Sequence, residues 1–168
     1  VDILVNNAGI VTDKPFSEKT VEDWRKMIAV DLIGPFICVK AVIPVMQKQK
    51  WGRIINISST NGIDTTSPES IDYDAAKAGL ISMTRNLAQA LAPDILVNSI
   101  APGWVDTDMN SLLSPEFIAE ETTRIARKKF ATPQEIARPV LFLASEDANN
   151  ITGQTLKGFD IRITDGLG

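Results

Sequence analysis

The chain contains no histidine. A Ser-His-Asp hydrolase and a histidine-ligated metal are therefore excluded within it, and no metal site is expected. Its one cysteine, Cys38, excludes an internal disulfide framework. That usage fits a reducing compartment, so a cytoplasmic location is expected. Basic runs are short: none exceeds Arg127-Lys128-Lys129, and the net charge is −4. Nucleic acid is not an expected partner. No apolar stretch reads as long enough to span a bilayer. No signal peptide is visible either, so no membrane partner is expected. Finally, no Gly-x-Gly-x-x-Gly run occurs anywhere, although that is the turn that cradles a dinucleotide pyrophosphate.

What is present is an ordinary globular composition, 44% hydrophobic and 23% charged over 168 residues. It reads as one domain, 1–168, able to bury a real core. The stretch from Arg53 to Leu80 organises it. Arg53 to Ser59 is a short apolar, β-branched run and reads as a buried strand. From about Ile71 to Leu91, Ala, Leu and Met recur at helical spacing. Tyr73 and Lys77 are four residues apart, on one face of that helix. Ser58 and Ser59 sit at the C-terminal end of the strand, where open α/β sheets bind ligands.

A free tyrosine titrates near ~10. A neighbouring ammonium favours the phenolate, so Lys77 is expected to lower the Tyr73 pKa. A phenol tuned in this way exchanges a proton with a substrate oxygen, and a serine hydroxyl opposite would hold that oxygen. The arrangement suits carbonyl reduction or alcohol oxidation with hydride from a cofactor. The spacing alone favours an ordinary helix pair on a solvated face, because Tyr-x-x-x-Lys is common by chance.

Three further motifs surround this pair in order. Asn6-Asn7-Ala8-Gly9 follows a first strand, Ile57-Ser58-Ser59 closes the second, and Ala101-Pro102-Gly103-Trp104-Val105-Asp106-Thr107 follows a later one. With Tyr73-x-x-x-Lys77, they resemble the short-chain dehydrogenase/reductase family, and most closely its branch of 3-oxoacyl-carrier-protein reductases and sugar-alcohol dehydrogenases. The likeness runs from Val1 to about Leu156. It implies an α/β fold with a doubly wound, Rossmann-like parallel sheet lacking its first three strands. The glycine-rich turn would lie among those missing elements, so the sequence reads as a fragment. It begins on Val1, already in a strand that reads as buried.

The resemblance implies an NAD(P)-dependent enzyme interconverting a carbonyl and a secondary alcohol. Ser59 would orient the substrate oxygen and Tyr73 would be the acid/base. Lys77 would hold the nicotinamide ribose. Asn7, Ala8 and Gly9 would line the adenosine side of NAD or NADP. Ile57, Tyr73 and Lys77 would also contact the cofactor. Pro102, Gly103, Val105 and Thr107 would meet its nicotinamide end and phosphates. The partners implied are a small carbonyl or alcohol substrate and copies of the same chain, as a tetramer. Two readings stand beside this one: a cofactor-less homologue kept for oligomer assembly, and an extended-branch epimerase or dehydratase.

Elsewhere, Ser17 reads as a helix N-cap without a capping box. An apolar helix runs from there to about Lys48, where Pro35 should kink or split it. Residues 108–129 read as short helices forming a lid. Thr132 reads as the N-cap of a helix with Ile136, Val140, Leu141 and Leu143 on its core side. The tail departs from the family, with Ile161 and Ile163 alternating as strand. Asp31, in Met27-Ile-Ala-Val-Asp31-Leu-Ile-Gly34, is the other departure, because the family usually has asparagine there. Near Lys77 it would favour the ammonium and raise the Tyr73 pKa, and it joins the catalytic set on that basis.

Overall fold

The structure, a computed structural model, describes residues 1–64, 66–110 and 113–158. Among these, β1 (Ile3–Asn6), β2 (Gly52–Ile57), β3 (Ile95–Pro102) and β4 (Thr155–Gly158) form one sheet in sequence order. All three pairings are parallel. Parallel neighbours need crossovers, and helices supply them. α1 (Val21–Ile28) and α2 (Gly34–Gln49) link β1 to β2, and α3 (Ile71–Leu91) links β2 to β3. α4 (Pro115–Arg124) and α5 (Pro133–Ala144) precede β4.

Strand alternation places helices on both faces. Ile54, Ile95 and Val97 pack with Val39 and Met46 of α2 and Ala88 of α3. Ile55 and Ile100 point the other way, onto Leu143 of α5 and Ala148. The register Ile54↔Val97 and Ile57↔Ile100 keeps each set on its own face. The sheet is thus doubly wound, with β2 and β3 as its buried centre. β1 differs from the expected buried strand: Ile3 and Val5 are 45% and 40% exposed. Among the described residues it is an edge strand, paired with β2.

Thr20 caps α1, not Ser17. Its hydroxyl accepts the Asp23 N–H while the Asp23 carboxylate accepts the Thr20 N–H. Aspartate closes the box as glutamate would. The same box, Thr132 with Glu135, starts α5 as expected. Pro35 does not split the long helix. A π turn, Ala29–Ile33, joins α1 to α2, with the Gly34 N–H reaching back to the Ala29 carbonyl. The proline falls in the first turn of α2, where the hydrogen-bond ladder has just changed register. Val21–Gln49 is therefore one 29-residue helix, long and apolar enough by composition to cross a membrane. That corrects the sequence expectation that no apolar stretch is long enough to span a bilayer.

α5 turns Ile136, Val140 and Leu143 inward, but Leu141 is 69% exposed. At 100° per residue it lies off the stripe that the other three define. Within residues 108–110 and 113–129, Asp108–Asn110 form a 3₁₀ turn, and Ser114 caps α4. Trp104 stacks on Phe130 and meets Phe117 of α4 edge-on, which ties α4 to the loop after β3. The expected strand through Ile161 and Ile163 lies outside the described residues.

Candidate active site

The site forms where β1, β2 and β3 end. A polar ladder holds their spacing: Asn6 donates to Asn56 at 2.8 Å, and Asn56 donates to Thr84 of α3 at 2.8 Å. In a buried sheet such a fully bonded chain fixes one arrangement of strand and helix. Beyond β2, the two serines divide their roles. The Ser58 hydroxyl is 2.7 Å from that of Ser99 and donates to the Ile100 carbonyl at 3.0 Å, so it is structural. Ser59 caps the 3₁₀ turn Thr60–Gly62 and hydrogen-bonds the Tyr73 side chain. Gly62 seats this turn on α3: a Cβ there would meet the Lys77 carbonyl carbon at 2.7 Å. The serine and the helix bearing Tyr73 are thereby held in fixed register.

Lys77 is buried, and its ammonium donates to the Ile57 carbonyl at 3.2 Å. It also lies 3.0 Å from Asp31 Oδ1 and 5.3 Å from the Tyr73 ring centre. Asp31 sits in the π turn, fully buried, and its Oδ2 accepts the Ile10 N–H at 3.0 Å. Oδ1 takes no hydrogen bond of good geometry, so the ammonium is its compensation. Gly9 packs against this pair. A Cβ there would lie 2.6 Å from Asp31 Oδ1 and 3.3 Å from Lys77 Nζ, which is reason enough for glycine at that position.

The Tyr73 phenol does not move in the expected direction. Burial pushes it up to about 12; the Ser59 hydrogen bond pulls it down, and the carboxylates of Asp31, Asp74 and Asp13 push it further up. Lys77 fails to lower it because Asp31 neutralises the ammonium at contact distance. The expected proximity of Asp31 to Lys77, and its expected sign, are both present.

The remaining expected residues flank this centre. Asn7 and Ala8 are exposed in the loop after β1, with Gly9 half-buried behind them. Pro102 ends β3, paired with Gly158. Gly103 and Val105 are half-buried; Val105 bridges to Ala131, and its carbonyl accepts Asn110 Nδ2 at 2.7 Å. Thr107 is exposed. Asn7, Ala8 and Gly9 thus follow β1, and Pro102 to Thr107 end and follow β3, so both sets lie at the C-terminal ends of the strands, where open α/β sheets bind ligands.

Sequence reasoning missed a second buried pair. Lys19 Nζ donates to Asp72 Oδ1 at 2.8 Å and to the Thr12 carbonyl at 2.7 Å. Asp72 Oδ1 also accepts the Tyr73 N–H at 3.1 Å. Asp74 was missed too: it accepts Asn61 Nδ2 at 2.7 Å and the Ser67 N–H at 3.1 Å. Acidic residues in a helix's first turn look like ordinary dipole partners, so nothing marked them as special.

An α/β domain with a serine–tyrosine–lysine centre at its strand ends defines a class of nucleotide-linked oxidoreductase folds, and known proteins narrow it. Residues 1–158 match the family described as enoyl-(acyl carrier protein) reductase. A 3-oxoacyl-[acyl-carrier-protein] reductase of Aquifex aeolicus is 45% identical over 157 residues, 93% of this chain and 63% of the relative. Nodulation protein G of Azospirillum brasilense is 43% identical over the same shares. Among solved structures, a gluconate 5-dehydrogenase of Burkholderia cenocepacia in complex with NADP and tartrate superposes with a TM-score of 0.90. It is 30% identical, over 94% of this chain and 63% of its own. The chain belongs to the short-chain dehydrogenase/reductase family. It spans less than two thirds of the length of these relatives.

Proposed function

We propose that the protein containing this chain is an NAD(P)-dependent oxidoreductase that interconverts a carbonyl and a secondary alcohol. The observation that carries the reading is the meeting of Ser59, Tyr73 and Lys77 from two separate elements at the strand ends. Ser59 holds the substrate oxygen, and Tyr73 carries the proton to or from it. Two protein partners of the Lys77 ammonium, Asp31 and the Ile57 carbonyl, leave a donor direction for the nicotinamide ribose. NAD or NADP, when bound, supplies or accepts the hydride. Asn7, Ala8, Gly9 and Ile57 border the cofactor on one side, and Pro102, Gly103, Val105 and Thr107 on the other.

The relatives support two substrate classes, 3-oxoacyl thioesters and sugar acids. The protein works as a homo-oligomer in the cytoplasm, a tetramer by resemblance. Ile33, Phe36 and Ile37, 46%, 48% and 60% exposed along one helix, support self-association. Turnover of NADPH and NADH with both substrate classes, by wild type and Tyr73→Phe, tests the activity. Phenylalanine keeps the ring and removes the proton carrier. The rate should fall more than about 10²-fold while cofactor binding persists. A variant within tenfold of wild type would sink the assignment. A monomer by light scattering at micromolar concentration would sink the assembly.

A further inference from the structure

A phenol serves two directions of the same chemistry in two protonation states. Reducing a carbonyl needs the neutral phenol as donor, whereas oxidising an alcohol needs the phenolate as acceptor. Burial already favours the neutral phenol, and the charges around Tyr73, which come from several elements, add to or oppose it. α3 itself contributes Lys77 and Asp74, the π turn contributes Asp31, and the loop after β1 contributes Asp13. Ser59, after β2, gives a neutral hydroxyl. Lys19 and Asp72 lie beside the tyrosine's backbone but compensate each other at 2.8 Å. Among the described residues, the cation placed to favour a phenolate is Lys77, and it is matched at 3.0 Å by a fully buried carboxylate. Asp74 and Asp13 then remain without a cation facing the phenol.

We infer that Asp31 is a positioning residue that commits the site to proton donation: by pairing with Lys77 it keeps Tyr73 a neutral phenol through neutral pH, so that ketones are reduced there and alcohols are oxidised only in alkaline solution. This deepens the function proposed above and rests on it. In the reducing direction, hydride adds to the carbonyl carbon, and the carbonyl oxygen takes the Tyr73 proton. An alcohol, the oxidised nicotinamide and a phenolate result, and the phenolate recovers its proton from solvent. The reverse step begins from that phenolate, which the surrounding carboxylates make scarce.

The pair also depends on the loop after β1. Gly9 admits Asp31 Oδ1 to a point 2.6 Å from where a Cβ would stand, and the Ile10 N–H anchors the other oxygen. The absence of a side chain at Gly9 thus leaves Oδ1 its place beside Lys77, while the Ile10 N–H holds the other oxygen.

Tyrosinate absorbance reads the claim directly, without cofactor or substrate. Tyr73 is the only tyrosine of this sequence, and subtracting the Tyr73→Phe titration isolates it in the full-length protein. Asp31→Asn should lower the midpoint by about one pH unit or more. The alkaline limb of the alcohol-oxidation profile should move down by the same amount. Asp74→Asn should shift both in the same direction by less, and it serves if Asp31→Asn fails to fold. A midpoint that stays in place or rises in the folded variants overturns the inference. Failure of Tyr73→Phe to lose turnover overturns instead the functional reading on which it rests, leaving the titration result intact.

Discussion

Two lysine–aspartate pairs are buried within a few residues of one another, and they differ in purpose. Lys77–Asp31 measures 3.0 Å with side chains 5% and 0% exposed; Lys19–Asp72 measures 2.8 Å with 1% and 0%. By distance and burial they are equivalent. Both are bonded to backbone at both ends, Lys19–Asp72 to the Thr12 carbonyl and the Tyr73 N–H, Lys77–Asp31 to the Ile57 carbonyl and the Ile10 N–H. Each also keeps one carboxylate oxygen without a well-directed hydrogen bond. Their positions separate them. The Lys19 pair ties the loop after β1 to the first turn of α3, at the positive end of the helix dipole, where a carboxylate belongs. The Lys77 ammonium instead lies over the Tyr73 ring. A buried pair beside backbone fixes geometry. One facing a titratable group also bears on its protonation state.

Removing either cation strands a buried carboxylate, so stability should fall by about 3–5 kcal/mol in both Lys77→Met and Lys19→Met. Turnover should distinguish them. Lys77→Met should lose at least about 10²-fold in kcat even where it is folded. Lys19→Met should stay within about threefold per folded molecule, because its pair touches neither the serine nor the phenol hydroxyl. Denaturant unfolding beside steady-state kinetics measures both quantities. Equal losses of turnover would erase the distinction.

Gly9→Ala probes the Lys77 pair from the opposite side. The added methyl group cannot be placed without moving Asp31 or the loop. Overpacking of this kind costs about 1–3 kcal/mol. Displacing Asp31 from Lys77 should also lower the tyrosinate midpoint, as Asp31→Asn does. Loss of stability with an unchanged midpoint would mean that the loop yields and the pair survives.

The legibility of the sequence follows the same division between local and long-range causes. α3 was readable to its ends, Ile71 and Leu91, because its spacing is periodic and its neighbours are turn residues. β2 and β3 were readable as β-branched runs bounded by glycine, proline and serine. Thr20 was passed over because its box closes with aspartate, and Leu141 because apolar character alone does not fix a face. The exposure of β1 depends on what stands beside it, which no local pattern encodes. At the site, the helical spacing placed Tyr73 and Lys77 together, and the family resemblance placed Asp31 near them. The direction of the tyrosine shift was missed because burial, its largest cause, depends on packing that helical spacing does not encode, and Asp31 adds to it. Lys19 and Asp72 are 53 residues apart, and nothing periodic joins them.

The smallest effect is expected from removing the second pair whole. Lys19→Met/Asp72→Asn takes away both charges at once, so no buried ion is left without its counter-ion. An asparagine oxygen can still accept the Tyr73 N–H that Asp72 accepts at 3.1 Å, and methionine fills the volume of the lysine stem. Replacing a buried ion pair by neutral groups of similar size is often neutral or stabilising. The double variant should therefore unfold within about 1 kcal/mol of wild type, with a coupling of about 2–3 kcal/mol against the sum of its singles. The tyrosinate midpoint should not move, since the pair it replaces had no net charge to lend. A double variant as unstable as Lys19→Met alone would show that the pair does more than neutralise itself. The tie between Thr12 and α3 would then be the part that matters, and the contrast with Lys77–Asp31 would rest on geometry rather than on charge.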